Sequence, residues 1–154
     1  MGKTKKYSKK YVPKNLSEKD KKKQRKELKK SQKQYKKGKY HTRKKVKSFK
    51  SKVSPHIKKA RKMYDVEDIK PSKELAKETG CSVKALKEIE KKGMGAYYSS
   101  GSRPNQSAHS WGRARLASAI TGGKSSVVDF HILEKCDKRM KAYKLAKKRK
   151  DKKD

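Results

Sequence analysis

Apolar side chains are scarce over the first third of this chain and recur at helical spacing over its middle. Residues 1–15 form a basic leader carrying Tyr7 and Tyr11 and ending at Pro13. Residues 17–37 predict a helix: Ser17 caps its start, Glu18 and Asp20 suit the positive end of the dipole, and Gly38 terminates it. Its apolar positions are only Leu28 and Tyr35, one narrow stripe, so it needs a partner to be stable in water. Residues 38–53 read as a basic linker with Tyr40 and Phe49 interleaved. Those rings either stack on unpaired bases or anchor the linker to the core, and anchoring is the expectation. From Ser54-Pro55 the pattern tightens. Ile57, Ala60 and Tyr64 share one face of a short helix, and Val66, Ile69 and Pro71 follow.

The next stretch, residues 72–91, is the sharpest local pattern. Ser72 caps a helix bearing Leu75 and Ala76, Gly80 supplies a tight left-handed turn, and Ser82 caps a second helix carrying Leu86 and Ile89. Ala76, Gly80, Leu86 and Ile89 fall at the spacing of a DNA-binding helix-turn-helix, where a small residue lets the helices cross. In that geometry Ser82, Val83, Lys84 and Lys87 face the major groove, with Lys91 and Lys92 near phosphates. The exposed face also carries Glu88 and Glu90 and offers no Arg, Asn or Gln for bidentate base contacts. Non-specific phosphate contact or a purely structural helix pair is therefore expected ahead of sequence reading.

Charge changes the picture more than composition does. The chain of 154 residues has a formal net charge of +35, divided as +25 over residues 1–62, +2 over 63–134 and +8 over 135–154. Only 30% of residues are hydrophobic, too few to bury a core along the full length. Such charge density repels itself until a polyanion neutralises it, and solubility alone does not require so large an excess.

Other chemistry is thin. Cys81 and Cys136 are too few for a disulfide framework and suit a reducing compartment. The four histidines lie at no zinc-ligand spacing to them, and His109 and His131 read as structural. No nucleophile–base–orienter set and no phosphate-cradling loop can be assembled, so no catalytic residue, metal or cofactor is assigned and an enzyme is not expected. No apolar run fits a signal peptide or a membrane span, and the start lacks the Ser or Thr of a myristoylation signal. The sequons at Asn15 and Asn105 read as chance matches.

Residues 93–123 carry the second motif. Gly93, Gly95, Gly101 and Pro104 predict a loop able to approach a surface closely, and a helix from Ser107 or Ala108 to about Ile120 is apolar nearly all round. Trp111 belongs to its core rather than to a base-stacking platform. Arg115 is as fit to pair with Asp129 or Glu134 as to meet phosphate, and Arg103, on the loop, is the better candidate for partner contact. Val127 to Leu133 alternates like a strand but follows serine caps in a helical context, so a helix is expected. Thr79-Gly80, Gly93, Gly95-Ala96, Arg103-Pro104, Trp111, Ala114-Arg115 and Asp129 together resemble a small domain family of unknown function. Large DNA viruses of algae and amoebae, and some phages, carry that family. The resemblance covers about residues 54–135 and implies a viral origin, not an activity; Leu116 stands where the family often has valine.

The expected fold is mainly α. A small helical core with a helix-turn-helix-like pair spans 54–135, between a long basic arm over 1–53 and a basic tail over 136–154, both disordered or extended. The expected function is non-enzymatic, sequence-independent binding of nucleic acid, DNA before other polyanions. The contacts assigned are Lys21, Lys22, Lys23, Arg25, Lys26, Arg43, Lys44, Lys45, Ser82, Lys84, Lys87 and Arg103. With the viral origin that the resemblance implies, the place is the virion, reached through the host nucleus or a cytoplasmic viral factory. The competing reading is a minor capsid protein whose arms cement major capsid protein subunits or touch the inner membrane by surface charge.

Overall fold

A computed structural model describes residues 7–152. Among these the protein is mainly helical and has no strand. Its helices are α1 (Glu18–Lys36), α2 (Pro55–Tyr64), α3 (Lys73–Thr79), α4 (Val83–Ser99), α5 (Ala108–Ile120), α6 (Lys124–Val128), α7 (Phe130–Leu133) and α8 (Lys141–Lys152). The chain divides into two compact units. One, here the N-terminal unit, takes residues 7–52 and borrows Gly95–Ala108; the other, the central unit, takes Val53–Met94 and residues 109–152.

The capping signals operate as their chemistry dictates. Ser17 Oγ accepts from the Asp20 amide at 3.2 Å, and Ser72 Oγ from the Leu75 amide at 3.1 Å. Pro55 opens α2 behind Ser54, Gly38 closes α1 at φ +77, and Gly80 closes α3 at φ +79.

In the central unit the core is apolar. Ala60, Tyr64, Val66, Ile69, Leu75, Leu86, Ile89, Leu116, Ile120 and Leu133 are buried together. Helices α4 and α5 approach at glycines: a Cβ on Gly93 would lie 2.6 Å from the Gly112 Cα, and one on Gly112 would lie 2.6 Å from the Glu90 carbonyl oxygen. This corrects the loop expected from Gly93 onward. Helix α4 runs on through Gly93 and Gly95 to Ser99. The glycine at 93, a helix weakener on its own, is where a second backbone must pass.

Two further expectations change. The basic tail is not a tail over the described residues: α8 buries Ala142 and Ala146 and packs on α6 and α7. Cys81 and Cys136 form a disulfide, with Cα atoms 4.4 Å apart, and beside it the Asp137 amide donates to the Gly80 carbonyl at 2.9 Å. The turn between α3 and α4 is thus braced by residues 136–140. The ambiguous stretch before it is helical, as α6 and α7.

The N-terminal unit is not an extended arm over the described residues. Its centre is α1, whose buried face is Asp20, Gln24, Glu27, Leu28 and Ser31, at helical spacing. Four of those five side chains are polar, and each takes a specific partner. Asp20 accepts from the Ser48 amide at 2.8 Å and from its hydroxyl. Gln24 donates to the Tyr11 carbonyl at 3.2 Å, Glu27 accepts from the Lys44 amide at 2.6 Å, and Ser31 donates to the Tyr98 carbonyl at 3.2 Å. The helix therefore straps the flanking segments to itself by hydrogen bonds rather than by an apolar stripe.

Candidate nucleic-acid interface

The same inward turn of the acids decides what α1 shows to solvent. Asp20 and Glu27 point in, so Lys22, Lys23, Arg25 and Lys26 stand exposed with little counter-charge among them. Lys21 is half-buried and paired with Glu18 at 3.2 Å. Burial would raise the Glu27 carboxyl, but the Lys44 amide, the His41 ring at 3.2 Å and the charge of Lys30 outweigh it and hold the group below its ordinary value. The Ser48 hydroxyl and amide likewise hold Asp20 low. Both acids stay ionised inside the fold while the lysines keep the outside.

Lys44 and Lys45 are also exposed, but Arg43 between Thr42 and Lys44 is not. Its guanidinium donates to Ser31 Oγ at 2.9 Å, to the Tyr97 carbonyl at 2.6 Å and to Ser102 Oγ at 2.6 Å, and it lies over the Tyr97 ring at 3.8 Å. Arg43 is therefore withdrawn from the exposed basic surface: a forked donor suits this multi-acceptor pocket where an ammonium would not. Burial lowers its pKa without bringing it near neutrality, since guanidinium stays charged in proteins.

Around this anchor the structure gathers basic residues that are distant in sequence. The Arg43–Ser102 bond and the ties from Asn105 to Val46 (its Oδ1 accepting at 2.7 Å and its Nδ2 donating at 3.1 Å) bracket Lys44–Lys45 on one segment and Arg103 on the other. Arg103 is exposed. Asn105 sits at φ +64, a conformation asparagine tolerates, which turns its amide onto the 46–49 backbone.

The central unit has a basic surface of its own. With Leu86 and Ile89 buried, Lys84, Lys87 and Lys91 fall in a row along exposed α4, lining a shallow open hollow with Val83 and Glu88. Ser82 is exposed, but its hydroxyl is committed to capping, accepting from the Ala85 amide at 3.0 Å. Glu90 is drawn off to Arg113 at 3.7 Å. Lysines without a bidentate reader suit phosphates, not base edges.

The remaining motif residues turn inward. Arg115 meets the fully buried Asp129 through two bonds of 2.8 Å and 2.7 Å, the internal pairing weighed from the sequence. Trp111 is half-buried rather than central. His109 and His131 are exposed, contrary to a structural role inside the fold, and His131 Nε2 lies 2.9 Å from Lys92 Nζ. Among the described residues no three or more His, Cys, Asp or Glu side chains cluster to hold a metal, and no helix is long and apolar enough to cross a membrane.

Residues 8–139 match the model of a family of unknown function, DUF5824. The match begins far upstream of the 54–135 span expected, which agrees with a domain whose N-terminal unit needs both residues 7–52 and Gly95–Ala108. No curated protein and no solved structure matches the chain.

Proposed function

The chain belongs to the DUF5824 family, and from that premise we propose that it is a non-enzymatic, nucleic-acid-binding protein of the virion of a large DNA virus. It holds the phosphate backbone without reading sequence. The observation that carries this reading is the partition of charge on α1, where the two buried acids bind backbone amides and leave a cationic outer face. A helix built only for solubility gains nothing from hiding its acids. Hiding them concentrates positive potential where a polyanion can meet it.

The test is the salt dependence of duplex DNA affinity, measured on two unrelated sequences. The two should bind alike, with a steep log–log slope that flattens by about 0.9 for each phosphate contact removed. Changing Lys22, Lys23, Arg25 and Lys26 to Gln should flatten it most. Changing Lys84 and Lys87 to Ala should flatten it by about one to two charges if the α4 row also touches DNA. Either set should leave stability within about 0.5 kcal/mol, since these side chains are exposed. Strong dependence on sequence with a flat slope would remove this function. Recovery of the protein with the shell of fractionated virions, away from the genome, would favour a minor capsid role instead.

A further inference from the structure

Tyr35 and Tyr40 meet Tyr98, distant in sequence, at the surface of the N-terminal unit. Tyr40 lies 4.9 Å from Tyr98 and 6.3 Å from Tyr35, centroid to centroid, and the Tyr35 and Tyr98 planes are within 9° of parallel at 6.4 Å. The group is fixed from beneath: Tyr97 is fully buried, holds Tyr98 edge-on at 5.0 Å, and carries the Arg43 guanidinium over its ring. Nevertheless Tyr40 is 72% exposed and Tyr35 is 38% exposed. A ring so exposed while touching its neighbours on one side leaves a face open to water. Two exposed rings and the half-buried Tyr98, gathered over buried Tyr97, form a surface suited to a flat partner. Exposed Lys33, Lys36, Lys37 and Lys39 flank Tyr35 and Tyr40 along the chain, and no acidic residue occurs between Glu27 and Asp65. A flat, anionic partner fits this surface.

We propose that this tyrosine cluster is a stacking platform for the unpaired bases of single-stranded nucleic acid, with the flanking lysines on its phosphates. Every base has a π-face, so such a platform is sequence-tolerant. A duplex hides those faces, so the platform adds a preference for single strands. The inference rests on the phosphate-binding reading above and extends it. It also reverses the expectation that Tyr40 merely anchors a linker.

The experiment titrates the full-length protein, at one fixed salt concentration, into a short oligothymidylate bearing a single 2-aminopurine and, separately, into a duplex of equal length. The single strand should bind more tightly, and the 2-aminopurine emission should be quenched as its base stacks. Tyr40→Ala should weaken single-strand binding roughly five- to hundred-fold while leaving duplex affinity and the salt slope unchanged. Tyr40→Phe, which keeps the ring, should retain the preference and the quench. Equal affinity for the two strands in the unmodified protein overturns the platform and leaves phosphate binding standing. So does single-strand affinity that survives Tyr35→Ala combined with Tyr40→Ala. Failure to bind either strand removes both readings.

Discussion

The two units of this protein solve the same problem with opposite materials. The central unit buries a continuous set of aliphatic and small side chains, with Leu75, Leu86, Ile89, Leu116 and Leu133 fully enclosed. The N-terminal unit has little to bury, and its inner layer is Asp20, Gln24, Glu27, Ser31, Arg43 and Ser102 around Leu28 and Tyr97. Apolar burial is non-directional and tolerates approximate fit, whereas a polar interior holds only if each group finds its partner. A segment with a net charge far above zero can therefore fold, provided its few acids and its one buried arginine are placed against the backbone. Stability in the central unit is spread over area. In the N-terminal unit it is concentrated in a handful of bonds.

The contrast can be broken at its strongest point first. Leu116→Ala should cost about 2–5 kcal/mol, read from the midpoint of chemical denaturation, because the central core cannot fully collapse around the gap. A loss under about 1 kcal/mol would mean that this core is looser than its burial implies.

Arg43→Ala should follow, at on the order of 2–4 kcal/mol, since it removes the buried donor shared by the Ser31 and Ser102 hydroxyls and the Tyr97 carbonyl. Arg43→Lys should recover less than half of that loss, an ammonium being unable to span three acceptors. Full rescue by lysine would show that charge alone matters there.

The mildest test is pH. Asp20 and Glu27 are held below their ordinary values, so their contribution is fully present above the ordinary glutamate value of 4.5 and is lost as pH falls through the lower folded values. The protection factors of the amides of residues 44 and 48, which donate to these carboxylates, should fall on acidification before those in α5 do. Glu27→Gln should make residue 44 far less sensitive to acid. Loss of protection at the same pH in both units would contradict the division into polar and apolar interiors.

How much of this was legible depended on which force did the holding. Helices α2, α3 and α5 could be read directly, because serine caps, proline at the first turn and apolar spacing are local signals. The inner face of α1 could not, since a glutamate that will accept a backbone amide looks the same as one in solvent. Arg43 was indistinguishable from its lysine neighbours in a basic run; its forked donor gained meaning only once Ser31, Tyr97 and Ser102 converged on it. The tyrosine cluster joins residues 35, 40 and 98, and no periodicity links positions so far apart. Gly93 was visible as a glycine, but whether it serves a turn or a close crossing is decided by what passes over it. The basic residues are a different matter: their abundance was plain, and the structure adds that Arg43 is buried and Lys21 is paired with Glu18.

The Cys81–Cys136 bond has a consequence for the chain as a thread rather than as a fold. It closes a ring spanning 55 positions of sequence, and Gly95–Ala108, the piece that the N-terminal unit borrows, lies inside that ring. A protease that nicks the backbone once anywhere between residues 82 and 135 therefore releases nothing. The two pieces travel as a single species on a denaturing gel until a reductant is added, and they part only then.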